Sequence, residues 1–334
     1  MKENIQNILL SRTDSIGDVI LSLPMAGVLR QLYPKSKILF LGQSYTQPIV
    51  NACEHVDEFH NWDEVKESNS KDQTSFLESL GADVIVHVYP KSEIAHAAKR
   101  AGIRKRIGTM NRWYHWLTCN KLRRLSRKKS PLHEAQLNLQ LLKPLGAKIL
   151  YGKEEIQERY GLKLKPLEPH LEMRLSSDKF NLILHPTSKG SAMEWGVENF
   201  VQLIKTLPRE RYDLFITGTE KEGERIRDAL DFEPGVVHDM TGKMTLDELI
   251  GFIARADGLL AASTGPLHMA AALGIHAIGL YPSRRPMHPG RWAPLGRKAL
   301  VIEDGIHTHY NGPLKIEPER IKQILLSLDR MPSQ

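Results

Sequence analysis

The chain has 334 residues, enough for two domains of ordinary size that each bury a core. Its 41% hydrophobic and 25% charged residues exclude a disordered or fibrous chain. No run of about 18 uninterrupted apolar residues occurs, which excludes a membrane-spanning helix.

The polar opening, residues 1–6, does not read as a signal peptide, and Cys53 and Cys119 form no metal-type spacing or disulfide framework. A reducing cytoplasm is the expected compartment. Residues 5–10 predict a buried parallel strand, followed by a polar turn at 11–18. A helix over 19–32 comes next, with Pro24 near its start. Residues 38–41 predict the second strand, and a helix around 74–80 precedes a strand over 83–88. Residues 133–145 form an amphipathic pattern that stops at Gly146. Charges, Pro166 and Pro169 cluster between 151 and 177, so the linker is placed there, with domains over 1–165 and 166–334.

A second series follows. Strands are expected over 180–184, 212–217, 258–262 and 277–281, and helices over 197–207, 221–230, 245–255 and 266–273. A closing helix over 317–328 could pack back on the N-terminal domain. Alternating strands and helices predict an α/β protein, each domain a parallel sheet covered on both faces. Ligands are expected in a cleft at the strand C-termini.

Charge is uneven. The net charge is +7, yet no acidic residue lies between Glu93 and Glu134, where twelve Lys or Arg occur. Trp113, Tyr114 and Trp116 are interleaved with Arg112, Lys121, Arg123, Arg124, Lys128 and Lys129. Such a segment suits nucleic acid, an anionic membrane surface or a phosphorylated substrate, or is simply a solvated face.

The run 263–274, STGPLHMAAALG, follows an apolar strand and stops at a glycine. A strand feeding a small-residue turn and a helix leaves free N–H groups beside the hydroxyls of Ser263 and Thr264. That is either a diphosphate site, with His268 one turn in as a further donor, or a capped turn without a ligand. At the end of the first strand, Ser15-Ile16-Gly17-Asp18 presents a carboxylate that either caps its helix or acts as a general base. No Gly-x-Gly-x-x-Gly opens this turn, which disfavours a nicotinamide dinucleotide, and no Walker-type lysine loop is present. The loop His185 to Ser191 offers Thr187, Ser188, Lys189 and Gly190 to a diphosphate. In 218–222, GTEKE, a carboxylate either accepts from a ribose diol or stabilises a helix start. His307 and His309 lack companions for a metal site, so no metal is expected.

Together these segments resemble the ADP-heptose:lipopolysaccharide heptosyltransferases, glycosyltransferase family 9. The matching pieces are RTDSIGDVILSLP (12–24), LRQLYP (29–34), HEAQLNLQLLKPLG (133–146) and the run 263–274. The resemblance implies the GT-B fold, two Rossmann-like doubly wound domains facing a central cleft. It also implies an inverting, metal-independent transfer from a nucleotide-diphosphate sugar, ADP-heptose, with no other cofactor. Asp18 matches the catalytic base. Thr187 and Ser188 match a phosphate-contacting pair beside Lys189, Glu222 a ribose contact and Met244 an adenine-side residue. Ser263, Thr264, Gly265 and His268 fall on the diphosphate turn.

Gly17, Lys91, Arg112, Arg123 and Arg124 are expected to face an anionic lipopolysaccharide-type acceptor. The protein would then act as a monomer held electrostatically at the inner face of the cytoplasmic membrane, without nucleic acid. Two positions depart from the family pattern. Ser263 stands where Asp is usual, and 192–196, AMEWG, lacks the usual Lys before Trp. Lys189, Arg284 or Arg285 is expected to replace that charge. The rival readings are a GT-B epimerase or hydrolase acting on a soluble substrate and, more remotely, a nucleic-acid-binding protein.

Overall fold

The computed structural model describes residues 5–127, 130–163, 166–230, 237–308, 310 and 312–331. Lys128, Lys129 and His309 lie outside them. The chain divides into two compact units, Met1–Lys163 and Leu164–Gln334. Among the described residues no helix is long and apolar enough to cross a membrane.

Short apolar runs become strands wherever both faces of a sheet are covered. In the N-terminal unit these are β1 (Asn7–Ser11), β2 (Lys37–Gly42), β3 (Glu58–Asn61), β4 (Val84–His87), β5 (Lys105–Thr109) and β6 (Lys121–Arg123). All pairings are parallel, in the order β3-β2-β1-β4-β5-β6. Register is fixed by apolar partners such as Leu9↔Leu39 and Leu9↔Ile85. Leu9, Leu39, Leu41 and Ile85 pack with Trp62, Leu77 and Ile94 into one core.

The C-terminal unit repeats the plan with β7 (Phe180–His185), β8 (Tyr212–Ile216), β9 (Val237–Asp239), β10 (Gly258–Ala262), β11 (His276–Tyr281) and β12 (Ala299–Glu303). Their order is β12-β11-β10-β7-β8-β9, again parallel throughout. Each unit is thus a doubly wound, Rossmann-like sheet whose first strand sits at the centre. The buried Trp195 anchors the second core, its indole N–H donating to the Ile316 carbonyl at 2.7 Å.

Some expectations are corrected. The single helix expected over 19–32 is two, Ile16–Ile20 and Pro24–Leu32, because Pro24 starts a new helix after a turn at 21–23. The 133–145 pattern is a helix over Glu134–Gln140 and a 3-10 turn over Lys143–Leu145, ended by Gly146 at φ 93°. The closing helix, Pro318–Leu326, buries Ile321 and Leu325 in the core of the C-terminal unit itself, beside Phe200 and Leu203.

Candidate active site

In a parallel sheet every strand ends at the same edge, so the loops after the strands meet there. At that edge of the N-terminal unit, β1 runs into Arg12, whose side chain is 3% exposed. A buried guanidinium must satisfy its donors nearby, and this one is ringed by acceptors. Its Nε donates to Asp14 at 2.8 Å, its Nη2 to Asp18 and its Nη1 to Asn138 at 3.4 Å, with Glu134 at 3.7 Å. Arg127 closes the network, donating to Glu134 at 2.8 Å and to Asn138 at 3.1 Å.

Asp18 lies in the first turn of the Ile16–Ile20 helix. Its second carboxylate oxygen accepts from the Ser15 hydroxyl at 2.6 Å. Arg12 and Ser15 therefore fix the carboxylate's orientation while its side chain stays about one-quarter exposed, at 23%. Burial pushes the Asp14 carboxyl up to about 6, with Asp18 adding to the effect and Arg12 opposing it. Burial disfavours the charge on Arg12, but Asp14, Asp18 and Glu134 outweigh it and hold the guanidinium more firmly protonated. The sequence reading named Asp18 and missed the residues that hold it. Arg12, a cation directly after an apolar strand, was the signal.

The expected acceptor residues also reach this edge. Gly17 lies next to Asp18 in its helix. Lys91 follows β4 and caps the Ser92–Arg100 helix, Arg112 follows β5, Arg123 ends β6 and Arg124 follows it. From β1 the sheet runs β4, β5, β6, so these cations step outward from Asp18 at about 4.8 Å per strand. The basic segment is not one uniform face, however. Arg104 pairs with Asp83 at 2.8 Å, Arg106 donates to the Thr118 and Ile103 carbonyls, and Arg127 is spent on Glu134. The twelve cations expected to act together are therefore divided, several of them holding the fold.

At the matching edge of the C-terminal unit, the expected donor residues follow four adjacent strands. Met244 follows β9, Glu222 follows β8, Thr187 to Lys189 follow β7, and Ser263 to His268 follow β10. Thr264 is the N-cap of the Gly265–Leu273 helix, with extended backbone and no side-chain cap bond. Its hydroxyl is buried without a hydrogen-bond partner. The helix opens with Gly265 and Pro266, and Gly274 at φ 85° stops it. The first N–H groups of such a helix have no intrahelical acceptor and carry its positive dipole end. His268 is buried in the same first turn.

Glu222 accepts from the Thr219 amide and hydroxyl, both at 2.7 Å. Burial pushes its carboxyl up, but these donors outweigh it and leave it below the usual range. His185 ends β7 and donates to or accepts from the Thr217 hydroxyl at 3.0 Å. Burial lowers its ring to about 4, so it is neutral at pH 7.

Ser188 is already occupied, since its amide and hydroxyl donate to Glu194 at 2.7 and 2.9 Å. An anion reaching Ser188 must displace that carboxylate. Lys189 is exposed and takes a left-handed φ of 50°, unusual for a side chain of its length. Ser263 lies near the buried Tyr281, whose hydroxyl donates to the Trp292 carbonyl at 2.6 Å. Arg284, a candidate for the missing cation, lies against Met193, with Nη2 at 2.7 Å from its sulfur, and pairs with Asp304 at 3.1 Å.

Three comparisons place these two edges among known proteins. A glycosyl transferase family 9 structure from Veillonella parvula superposes with a TM-score of 0.80 at 20% identity, covering 97% of each chain. The Escherichia coli heptosyltransferase WaaC, solved with ADP, gives 0.73 at 18% identity, covering 96% of this chain and 99% of that one. Both likenesses establish the fold, which is GT-B. Lipopolysaccharide heptosyltransferase 2 of Escherichia coli K12 is 27% identical over 173 residues, 47% of this chain and about half (49%) of that protein. The sequence model of glycosyltransferase family 9 (heptosyltransferase) matches residues 77–312, most of the chain and nearly all of the second edge. The chain is a glycosyltransferase and belongs to glycosyltransferase family 9.

Proposed function

We propose that this chain transfers a heptose from ADP-heptose to a sugar hydroxyl of a lipopolysaccharide core acceptor, with inversion and without a metal ion. The observation that carries the donor half is the strand order β9-β8-β7-β10, which sets Met244, Glu222, Thr187 and Thr264 in one row. Four strands at about 4.8 Å span roughly 14 Å, the reach of a base, a ribose and a diphosphate laid side by side. Met244 would lie against the adenine and Glu222 would accept from the ribose diol. Thr187, Ser188 and Lys189 with Ser263, Thr264, Gly265 and His268 would hold the diphosphate. WaaC was solved with ADP, and the lipopolysaccharide heptosyltransferase 2 relative supports the class of sugar and acceptor.

Asp18 is the base in this reading. It takes the proton of the acceptor hydroxyl as that oxygen bonds to the anomeric carbon, and the bond to the diphosphate breaks on the opposite face. The charge that develops on the leaving diphosphate is met by the N–H groups at the start of the Gly265–Leu273 helix, the Thr264 hydroxyl and His268. Donors fixed before the reaction do not have to reorganise during it, and this replaces the charge a cation would supply. Gly17 lets the acceptor approach, and Lys91, Arg112, Arg123 and Arg124 pair with its phosphates and carboxylates. The protein is read as a monomer at the cytoplasmic side of the membrane.

The test is direct. The purified chain is incubated with ADP-heptose and a heptose-free core acceptor, and the products are weighed by mass spectrometry. The acceptor should gain one heptosyl unit as ADP appears. Transfer from UDP- or GDP-sugars alone, or release of free heptose with the acceptor untouched, would refute the assignment.

A further inference from the structure

Between β5 and β6 the chain forms a six-residue helix, Trp113–Thr118, whose outward face is apolar. Trp113, Trp116 and Leu117 stand at i, i+3 and i+4, one side of a helix, and are 72%, 56% and 61% exposed. Water is a poor solvent for three large apolar side chains grouped so closely, and such grouping on a soluble surface marks a contact. The opposite face is fixed to the sheet. His115 and Thr118 are buried, and the Thr109 amide donates to His115 Nδ1 at 3.0 Å. The Trp116 indole N–H donates to the Met110 carbonyl at 3.0 Å, so its one polar group is satisfied while the ring stays outside.

The charged surroundings are mostly basic, with Glu93 a carboxylate near enough to Tyr114 to act on its hydroxyl. Exposed Lys99, Arg112, Lys121 and Arg124 lie next to or just beyond this helix, and none has an ion-pair partner among the described residues. The Lys99 ammonium donates to the Leu117 carbonyl at 2.9 Å, which sets a cation beside the end of the apolar face. Indole rings favour the boundary between headgroups and acyl chains, and lysine and arginine favour anionic headgroups. A protein partner would offer shape and acidic side chains, but the pairing of two tryptophans with unpaired cations matches the layered chemistry of a bilayer surface.

We propose that the Trp113–Thr118 helix is a membrane-docking wedge. Trp113, Trp116 and Leu117 enter the interfacial layer of an anionic bilayer, and Lys99 and Lys121 bind the lipid phosphates around it. The helix starts at the strand edge that bears Lys91 and Arg112, so docking sets that edge against the headgroups. The wedge stands on its own observations and does not depend on which sugar is transferred.

The test uses the full chain with phosphatidylcholine vesicles, with and without phosphatidylglycerol, read by co-sedimentation. Trp emission is followed with lipids carrying bromine on their acyl chains, which quench only inserted indoles. The chain should bind the phosphatidylglycerol vesicles and its emission should be quenched. The combined variant Trp113→Ser, Trp116→Ser, Leu117→Ser should bind at least about tenfold more weakly and lose the quenching. Lys99→Gln and Lys121→Gln should each weaken binding by about fivefold. With a delipidated acceptor the triple variant should turn over as the parent does. Unaltered vesicle binding in the triple variant, or no quenching of the parent, overturns the wedge. Loss of turnover on the delipidated acceptor with vesicle binding intact also overturns it and assigns the aromatic face to the acceptor.

Discussion

The loops after β1 and β10 leave central strands of two sheets with the same order, and they treat charge in opposite ways. After β1 the chain turns charge inward, with Arg12 buried among Asp14, Asp18, Glu134 and Asn138. In the C-terminal unit, the helix after β10 keeps its start free of side-chain caps, with the Thr264 hydroxyl buried and unpartnered. A proton acceptor has to be held still, which takes a cation and a network. A diphosphate cradle has to keep its donors available, which takes backbone N–H groups with nothing bound to them. The fold supplies the position and the loop supplies the chemistry.

The sharpest way to break this contrast is to remove the charge on the held carboxylate alone. Asp18→Asn keeps an acceptor oxygen for Arg12 and turns an amide N–H toward the Ser15 hydroxyl, which can accept it, but cannot take the proton. Transfer should fall by about 10²–10⁴-fold, the usual contribution of a positioned base, with ADP affinity and melting temperature little changed. Single-turnover rates beside an ADP titration would measure both. Near-normal transfer would reduce Asp18 to a helix cap and leave the N-terminal edge without a base.

Removing the cation of the same network tests its structural half. Arg12→Met leaves Asp14, Asp18 and Glu134 close together with only Arg127 to offset them. Breaking a buried pair in this way costs about 3–5 kcal/mol, so denaturant unfolding should show a loss of that order. A loss under 1 kcal/mol would mean that water reaches the network and that Arg12 is not what fixes Asp18.

On the other edge the corresponding change is milder, because several donors share one ligand. His268→Ala should weaken ADP binding by roughly tenfold, the value of a charge-assisted hydrogen bond, and leave adenosine binding nearly unchanged. Equal losses for ADP and adenosine in calorimetry would make His268 a packing residue of its helix.

These edges were legible in the sequence to different degrees. The central strands β1, β4, β7 and β10 are apolar enough to be recognised, and the residues after them were found because a parallel sheet gathers strand ends at one edge. Outlying strands were missed. β3 is EFHN, β6 is KLR and β9 is VHD, short and mixed segments that pair only because a neighbour is already in place. The ring around Asp18 was also beyond reach. Its members come from positions 12, 14, 127, 134 and 138, and only the tertiary fold brings the last three to the first two. Arg127 shows the same limit from the other side. Counted with a basic patch in the sequence, it is bound to Glu134 in the structure.

The last effect expected is a pH dependence written by Asp14. Burial raises its carboxyl to about 6, against an ordinary value near ~4 in the unfolded chain, with Arg12 opposing and Asp18 adding to the shift. Between those values the folded state binds the proton more tightly than the unfolded state does. This group therefore favours folding most below about pH 4, and its contribution declines as the pH rises to about 6. Asp14→Asn cannot titrate yet keeps an oxygen for the Arg12 Nε donor. Carboxylates elsewhere, such as Asp63 held near 2, are common to both proteins and cancel in the comparison. The melting temperature of the variant relative to the parent should thus climb from pH 4 to pH 6 and level off above it. A difference constant across that range would mean that Asp14 is ionised throughout.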